Sequence, residues 1–398
     1  MLQAKTPEEA KRIIIESFKG STPKTEVLPL AACSGRVLAE NIVANEFVPG
    51  FDRSNVDGYA LRAKDTLPGS PLLRLRGVVE MGRAPSFELE EGECAYVPTG
   101  GALPDGADAV AMLEHSESGG AGEIAILKPI SAGSNIAFRG KDVYPGKVIM
   151  KKGRKISVED IGALAALGIC ELKIVKKPLV GILSTGDELV DMSLSPGIGQ
   201  VRDANSAMLA AAVQDYGAEP RLLGIIRDGY VALREAMLAA LRECDILIIL
   251  GGSSVGQMDS TCAVIDKNGR LLIHGIAMKP GKPTIVGDVE GKPVFGIPGN
   301  PLAAYFVSEY FVRSAINRLL GCEDSERYVI ARLSENVKAS RCRIQFCGAI
   351  LENRDSGLWV KPSNSKSGLI CALSDCSGYF FVSEECCSEG DEVKVFLK

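Results

Sequence analysis

Histidine is almost absent from this chain, since only His115 and His274 occur among 398 residues. A hydrolytic triad or a metal centre built on histidine therefore has few residues to draw on. Tryptophan is rarer still, with one residue. We expect any chemistry to use carboxylates, lysines, backbone amides and a hard metal ion.

Long hydrophobic runs and an excess of positive charge are also missing. The apolar run from Ile246 to Leu250 is far shorter than the roughly 20 residues that a membrane helix needs. The N-terminal sequence MLQAKTPEEAKRI lacks the apolar core of a secretory signal. The formal net charge of −5 provides no basic field for nucleic acid. We therefore expect a cytoplasmic protein that binds neither membranes nor nucleic acid.

Twelve cysteines are many for a cytoplasmic chain, and they concentrate towards its C-terminal end. The cysteines after residue 321 are Cys322, Cys342, Cys347, Cys371, Cys376, Cys386 and Cys387. None of these forms a C-x-x-C pair, so a zinc site has little support. The plainer interpretation is that reduced thiols act as small core side chains. A thiol role in holding a sulfur-bound pterin or a metal stays open.

The length favours several cores, because single cores stop growing at roughly 250–300 residues. Capping boxes at Thr6–Glu9 and Ser157–Asp160 predict two helices, which end at Gly20 and Gly168. We divide the chain into a joining domain with the N-terminal helix (1–44 and 146–176), a β-rich insert (45–145), an α/β domain (177–321) and a C-terminal β module (322–398). This division allows part of the N-terminal helix to pack on the α/β domain.

The α/β domain is predicted from strands that alternate with helices. Such alternation implies right-handed crossovers and a mostly parallel sheet, in a three-layer arrangement. The fold class is therefore multidomain, α/β plus β. The predicted elements are strands at 178–183, 221–226, 245–250 and 293–297 and helices at 205–216, 230–242 and 302–320.

Polar and glycine-rich segments follow four of these predicted strands. Ligands of open α/β sheets bind outside the carboxyl ends of the strands, so these segments are expected to converge. They are Thr185-Gly186-Asp187-Glu188, Arg227-Asp228-Gly229, Gly251-Gly252-Ser253-Ser254-Val255-Gly256 with Asp259, and Pro298-Gly299-Asn300-Pro301.

These residue types suit an anion together with a metal ion. Glycine loops let backbone N–H groups face a phosphate, and carboxylates are hard ligands for magnesium. Lys279 and Lys282 can balance the charge of a phosphate or an oxyanion. Taken singly, each segment has a plainer interpretation: a turn, a solvated loop, or a helix cap at Thr185-Gly186-Asp187.

The insert holds three further candidate segments. These are FDRSNVDGYA at 51–60, VPTGGALPDGADAV at 97–110 and FRGKD at 138–142. Each is rich in turn-forming residues, and each is equally compatible with a plain turn.

These motifs, in this order, resemble the molybdopterin molybdotransferase family, which includes the bacterial relatives of the gephyrin E domain. The matching segments span residues 51–301, and the flanking regions fit as well, so the resemblance covers almost the whole chain. Ser367 lies in a segment, 362–369, that matches the family only loosely. Val56 stands where the family is expected to have methionine.

The resemblance implies an elongated homodimer that takes adenylylated molybdopterin and molybdate as substrates, requires Mg²⁺ and releases AMP. It implies a site between the α/β domain of one subunit and the insert of its partner. In the α/β domain the implied catalytic residues are Asp187, Glu188, Asp228 and Asp259, of which Glu188, Asp228 and Asp259 are metal candidates. The implied substrate-binding residues are Thr185, Gly251, Gly252, Ser253, Ser254, Gly256, Lys279, Lys282, Pro298, Asn300, Pro301 and Ser367. The partner's insert is implied to contribute Asp57, Thr99, Arg139 and Asp142.

Three alternatives stay open. A molybdopterin adenylyltransferase would share the α/β domain but would not explain the residues before Lys177; such an enzyme remains open as a partner. A non-catalytic molybdopterin-binding scaffold would not need the acidic residues after the strands. A tungsten-inserting paralogue cannot be distinguished by sequence, because tungstate and molybdate have nearly the same size and charge.

Overall fold

The computed structural model describes residues 4–18, 23–67, 71–251, 255–322, 327–340, 342–363, 370–383 and 386–398. For residues 255–259, 370 and 372, only the backbone is described. No helix in these ranges is both long and apolar enough to cross a membrane.

Before residue 177, the described residues form two helices and twelve strands. The helices are α1 (Pro7–Ser17) and α2 (Val158–Ala166). The strands are β1 (Thr25–Pro29), β2 (Ile42–Val43), β3 (Arg53–Ser54), β4 (Gly58–Leu61), β5 (Leu72–Val78), β6 (Glu93–Val97), β7 (Ala109–Met112), β8 (Ser116–Gly120), β9 (Glu123–Ile126), β10 (Ile136–Ala137), β11 (Val148–Met150) and β12 (Glu171–Val175). Short 3₁₀ turns lie at Leu30–Ala32, Ala63–Thr66 and Leu113–His115.

A small joining module brings together the chain on either side of the insert. Strand β1 pairs antiparallel with β12, and β2 pairs antiparallel with β11. Both predicted capping boxes are confirmed: Thr6 caps α1 with Glu9, and Ser157 caps α2 with Asp160. Helix α1 leaves this module and packs against the last long helix of the α/β domain.

The insert is built on one six-stranded sheet with the order β7-β4-β6-β5-β9-β8. Strand β4 lies between β6 and β7 and is antiparallel to both. A separate two-stranded pair, β3 with β10, brings residues 53–54 beside residues 136–137. The turns that follow residues 51, 98 and 137 therefore lie at one end of the insert.

In the next domain, the residues that the structure describes form nine strands and five helices. The strands are β13 (Leu179–Thr185), β14 (Leu189–Val190), β15 (Val201–Arg202), β16 (Glu219–Ile226), β17 (Ile246–Gly251), β18 (Arg270–His274), β19 (Met278–Lys279), β20 (Ile285–Val289) and β21 (Lys292–Ile297). The helices are α3 (Ala204–Asp215), α4 (Tyr230–Glu243), α5 (Val255–Asn268), α6 (Pro301–Val307) and α7 (Arg313–Leu320).

The main sheet of this domain has the order β16-β13-β17-β21-β20-β18. Its first four strands are parallel. Strand β20 pairs antiparallel with β21, and β18 pairs antiparallel with β20. The mostly parallel sheet is therefore confirmed. Its central strand β17 is wholly apolar and buried from Ile246 to Leu250, as expected for a strand covered by helices on both faces.

The predicted long helix at 302–320 is present, with a local irregularity. A π-helical turn at Ser308–Val312 separates α6 from α7. Buried side chains of this helix, among them Phe306 and Phe311, belong to a core shared with the sheet and with α1. That core extends to Phe346 and Tyr379 of the C-terminal module.

The C-terminal module is a small closed barrel. Its strands are β22 (Tyr328–Leu333), β23 (Ile344–Arg354), β24 (Gly357–Pro362), β25 (Gly378–Val382) and β26 (Glu392–Leu397), with a 3₁₀ turn at Ile370–Leu373. Pairing runs β23-β24-β22-β26-β25 and returns from β25 to β23. Strand β19 of the α/β domain adds to β23 in parallel, so the two domains share a strand pairing.

Candidate functional site

The carboxyl ends of four parallel strands meet at one edge of the main sheet. Thr185, the last residue of β13, aligns with Ile226 of β16 on one side and with Gly251 of β17 on the other. Leu250 in turn aligns with Ile297 of β21. The four segments singled out in the sequence therefore start from the same edge.

Two of the carboxylates at this edge are connected by hydrogen bonds. The Thr185 hydroxyl donates to Asp228 Oδ1 over 2.7 Å, and the Asp228 backbone N–H donates to Asp187 Oδ1 over 3.4 Å. Thr185 is buried, whereas Asp187 and Glu188 are exposed. The buried threonine thus fixes the orientation of Asp228, while Asp187 and Glu188 are exposed to solvent.

The segment Thr185-Gly186-Asp187 is not a helix cap. Residues 186–188 form a turn that leads into the two-residue strand β14. That plainer interpretation is wrong, because the chain runs through β14 and β15 before α3 begins.

Glycine at position 251 is required by the close approach of β13. Gly251 has φ +156°, and a Cβ atom there would lie 2.3 Å from the backbone oxygen of Thr185. No side chain fits at that distance. Because residue 251 has no side chain, β17 packs closely against β13 beside the Thr185–Asp228 hydrogen bond.

Helix N-termini surround the same edge and supply partial positive charge. Asp203 caps α3 by accepting from the Ser206 N–H, and Ser184 Oγ donates to Asp203 Oδ2 over 2.5 Å. Asn300 caps α6 by accepting from the Ala303 N–H. Helix α4 begins after Gly229 with no side-chain cap, so its first N–H groups stay available for an anion.

A small cavity of about 40 Å³ lies beneath this edge. It is lined by Thr185, Asp228, Gly229, Leu233, Gly251, Ser260 and Thr261. The volume suits about one water molecule. The cavity is too small for a nucleotide or a pterin ring.

Several predicted site residues lie outside the described part of the chain. They are Gly252, Ser253, Ser254 and Ser367. Gly256 and Asp259 lie on α5, in the stretch where only the backbone is described.

The acidic groups at the edge fit magnesium as partial ligands. Within the described residues, no three histidine, cysteine, aspartate or glutamate side chains form a complete metal cage. Magnesium usually takes one or two carboxylates together with water and substrate phosphate, so a complete protein cage is not required. The hard oxygens of Asp187, Glu188 and Asp228 match this requirement.

Lys279 lies where the α/β domain pairs with the barrel. Its strand β19 pairs with β23, and it lines a cavity of about 480 Å³ together with Gln345, Cys347 and Ser363. Burial raises the pKa of the Cys347 thiol, with nearby Lys279 opposing the shift. Cys347 is therefore a neutral thiol at neutral pH. Lys282 is exposed and follows in the same loop.

The insert residues fall into two neighbouring turns. Asp57 Oδ1 accepts from both the backbone N–H (2.7 Å) and the hydroxyl (3.1 Å) of Thr99. The Arg139 backbone N–H donates to Asp52, and its guanidinium lies 4.2 Å from the ring centroid of Phe47. Asp142 is exposed in the turn that follows Arg139.

A cavity of about 720 Å³ opens beside these turns, with Arg83 and Arg139 in its lining. In the part of the chain that the structure describes, no hydrogen bond of the four predicted insert residues reaches the α/β domain.

Two polar residues near the edge were missed by the sequence analysis. Asp203 was not considered, and Asn205 was interpreted only as the start of a helix. Their signal was present, because an aspartate that caps a helix is followed here by an asparagine in the first turn of the same helix.

Three family models together match most of the chain. They are the MoeA N-terminal region (domain I and II) at residues 5–168, a probable molybdopterin binding domain at residues 181–318, and the MoeA C-terminal region (domain IV) at residues 330–398.

Named relatives match over nearly the same length. Molybdopterin molybdenumtransferase of Bacillus subtilis is 32% identical over 395 residues, covering 96% of this chain and 91% of the relative. The enzyme of that name from Haemophilus influenzae is 33% identical, covering 86% and 84%. The crystal structure of a molybdopterin biosynthesis protein moeA from Pyrococcus horikoshii has a TM-score of 0.89 at 32% identity and covers all of both chains.

Proposed function

This chain belongs to the molybdopterin molybdenumtransferase family, and from that premise we propose that it inserts molybdenum into adenylylated molybdopterin and releases AMP. The observation that carries the proposal is the Thr185–Asp228–Asp187 hydrogen-bonded group at the carboxyl edge of the parallel sheet. That edge is where open α/β sheets bind phosphorylated ligands.

The chemistry requires that a phosphoanhydride be broken beside an oxyanion. Water attacks one phosphorus, the bridging P–O bond breaks with its electron pair leaving on AMP, and the proton of the water passes to a carboxylate at the edge. Asp228 is the best-oriented carboxylate, because the Thr185 hydroxyl fixes one of its oxygens. The uncapped N–H groups at the start of α4 lie next to it and favour phosphate oxygens.

Magnesium belongs to the proposal through the same carboxylates. Asp187, Glu188 and Asp228 would hold it, and Asp259 is a further candidate by resemblance. When bound, magnesium neutralises charge on the phosphate oxygens. The chain's own contribution is to keep Asp228 oriented and to present the helix N-termini towards the anion.

Molybdate is an oxyanion, so it needs positively charged groups. Lys279 and Lys282 lie on the loop next to the barrel, and Arg139 lies on the insert. Pro298, Asn300 and Pro301 belong to the turn that starts α6 at the sheet edge. We propose that the lysines hold molybdate and that this turn shapes the pterin side of the site.

The insert residues complete the site only if a second subunit supplies them. Asp57, Thr99, Arg139 and Asp142 form their hydrogen bonds with residues of the insert and its flanks. We therefore propose a homodimer in which each site combines the α/β domain of one subunit with the insert of the other.

The direct test measures AMP release from adenylylated molybdopterin, with magnesium, in the presence and absence of molybdate. Molybdate-dependent release of AMP, with molybdenum retained on the pterin, supports insertion. Binding without AMP release for either molybdate or tungstate would contradict catalysis and indicate a scaffold. Competition between the two oxyanions measures the preference for molybdenum over tungsten.

The variant Asp228→Asn tests whether AMP release depends on the carboxylate at the sheet edge. Asparagine keeps the size and one oxygen but removes the negative charge, so we expect AMP release to fall at least about tenfold. Asp288→Asn is the matched control, because Asp288 pairs with Arg270 on the far side of the sheet. Equal rates for Asp228→Asn and wild type would remove Asp228 from the mechanism.

A further inference from the structure

Asn205 carries a buried hydrogen-bond acceptor that has no partner. Its Nδ2 donates to the backbone oxygen of Gly299 over 2.7 Å. A carbonyl oxygen can only accept, so this bond fixes the orientation of the amide. The other end of the amide, Oδ1, is buried and has no hydrogen-bond partner in the described part of the chain.

The position of Asn205 places this acceptor at the proposed site. Asn205 is the second residue of α3, and the cap of that helix, Asp203, is anchored by Ser184 beside Thr185. Gly299 lies in the turn after β21. Asn205 therefore links the start of α3 to the turn after β21 at the carboxyl edge.

Neither helix capping nor loop anchoring explains the free oxygen. Asp203 already caps α3, so the helix does not need Asn205 for that purpose. The bond to Gly299 uses only the amide nitrogen. A buried acceptor left without a donor costs folding free energy, and such groups are rare unless a ligand or a solvent molecule satisfies them.

We propose that Asn205 is a substrate-binding residue whose Oδ1 accepts a hydrogen bond from an N–H group on a heterocycle of the substrate. This inference rests on the proposed function, because both the pterin and the adenine of adenylylated molybdopterin carry such donors. Asn205 is only partly buried as a residue, so its side chain lies at the boundary between the core and the open edge. The same amide would hold the turn at Gly299 and orient the ring.

Equilibrium binding to three variants tests this role in the full-length protein. Dissociation constants are measured for molybdopterin and for AMP separately, with EDTA present so that a metal contact by the amide oxygen is excluded. Asn205→Leu has nearly the same volume and no acceptor, and we expect it to bind one of the two ligands about tenfold more weakly. Asn205→Asp keeps an acceptor and should bind that ligand more tightly than Asn205→Leu does.

The control variant is Asn268→Leu. Asn268 also bonds a backbone oxygen, that of Val264, but it lies at the end of α5, away from the edge. It should bind both ligands as wild type does. The unfolding midpoint of each free variant is measured alongside, because a merely structural role for Asn205 would lower the stability without discriminating between ligands.

The two ligands identify the donor. Weaker binding of molybdopterin alone assigns the contact to the pterin. Weaker binding of AMP alone, together with lost discrimination between AMP and inosine monophosphate, assigns it to the adenine amino group. Unchanged affinity of Asn205→Leu for both ligands, or an equal loss for both and for inorganic pyrophosphate, overturns the inference. Failure of the wild-type protein to bind either ligand would instead contradict the proposed function.

Discussion

The effect of the Thr185 hydroxyl on the orientation of Asp228 can be measured separately from the rest of the site. Valine has nearly the same shape, so Thr185→Val removes only the 2.7 Å hydrogen bond to Asp228 Oδ1. A hydrogen bond to a charged group contributes roughly 1.5–3 kcal/mol, and about 1.4 kcal/mol corresponds to a tenfold effect. We expect AMP release to fall about tenfold or more while the unfolding midpoint changes little. Thr25→Val, on the exposed strand β1, is the control; a Thr185→Val rate equal to wild type would contradict the orienting role.

Glu93 is a buried carboxylate whose effect depends on pH. The backbone N–H of Glu90 and the guanidinium of Arg74 hold the pKa of Glu93 below its ordinary value of 4.5, against the opposing effect of burial. A carboxylate with a lowered pKa stabilises the folded state above the ordinary value, and this contribution is lost as pH falls through the folded-state pKa.

The corresponding variant is Glu93→Gln. We expect it to lower the free energy of unfolding by about 1–3 kcal/mol at pH 7 and by less below pH 4.5. Urea unfolding at pH 7 and at about pH 4 measures the difference from wild type. Glu117→Gln, at an exposed position of β8, is the control and should leave the free energy of unfolding at pH 7 close to that of wild type. A constant difference at both pH values would rule out the linkage.

At the scale of helices and strands, alanine substitutions of two glycines should have opposite effects on stability. An alanine Cβ at Gly251 would lie 2.3 Å from the backbone oxygen of Thr185, so β13 and β17 would have to separate. We expect Gly251→Ala to cost more than about 2 kcal/mol of stability and to abolish AMP release.

The control, Gly162→Ala, lies on the exposed face of α2, where a Cβ meets nothing within 4 Å. It should raise the free energy of unfolding by about 0.5–1 kcal/mol through helix propensity. Thermal unfolding of both variants gives the comparison, and a Gly251→Ala protein as stable as wild type would contradict the contact.

The regular elements were predictable from sequence where one physical signal dominated. The strand predicted at 245–250 is β17 (Ile246–Gly251), because a continuous apolar run bounded by glycine can only be buried. Helix α5 (Val255–Asn268) was not predicted, since its first residues follow glycines and serines in the sequence and lack an apolar stripe. The π-helical turn at Ser308–Val312 was not predicted either. It shifts the helix by one residue, and packing around Phe311 decides that rather than local pattern.

Over the whole molecule, the contacts that build the site join residues that are distant in sequence. Sequence spacing alone does not predict which of these residues pair. Thr185 and Asp228 were both candidates, but their hydrogen bond depends on the register between β13 and β16. The link between Asn205 and Gly299 joins residues 94 positions apart. The pairing of β19 with β23 places Lys279 next to Gln345 of the barrel, a contact that joins two domains. Parallel topology predicts which edge carries the ligand, whereas side-chain pairing across that edge requires coordinates.

The last prediction concerns the dimer and uses two variants that should each be inactive. Asp228→Asn removes a carboxylate from the sheet edge, and Arg139→Ala removes a cation from the insert. If each site takes its edge from one subunit and its insert from the other, a heterodimer of the two variants has one site with both changes and one site with neither. The two variants are co-expressed with different tags, and the heterodimer is purified through both tags.

We expect the purified heterodimer to release AMP at about half the wild-type rate per dimer, since one of two symmetry-related sites is intact. The two homodimeric variants are the controls and should be inactive. If each site lay within a single chain, both sites of the heterodimer would carry one change and no activity would return. Light scattering on the wild-type protein tests the same proposal independently, because a monomer cannot bring an insert to a partner's edge.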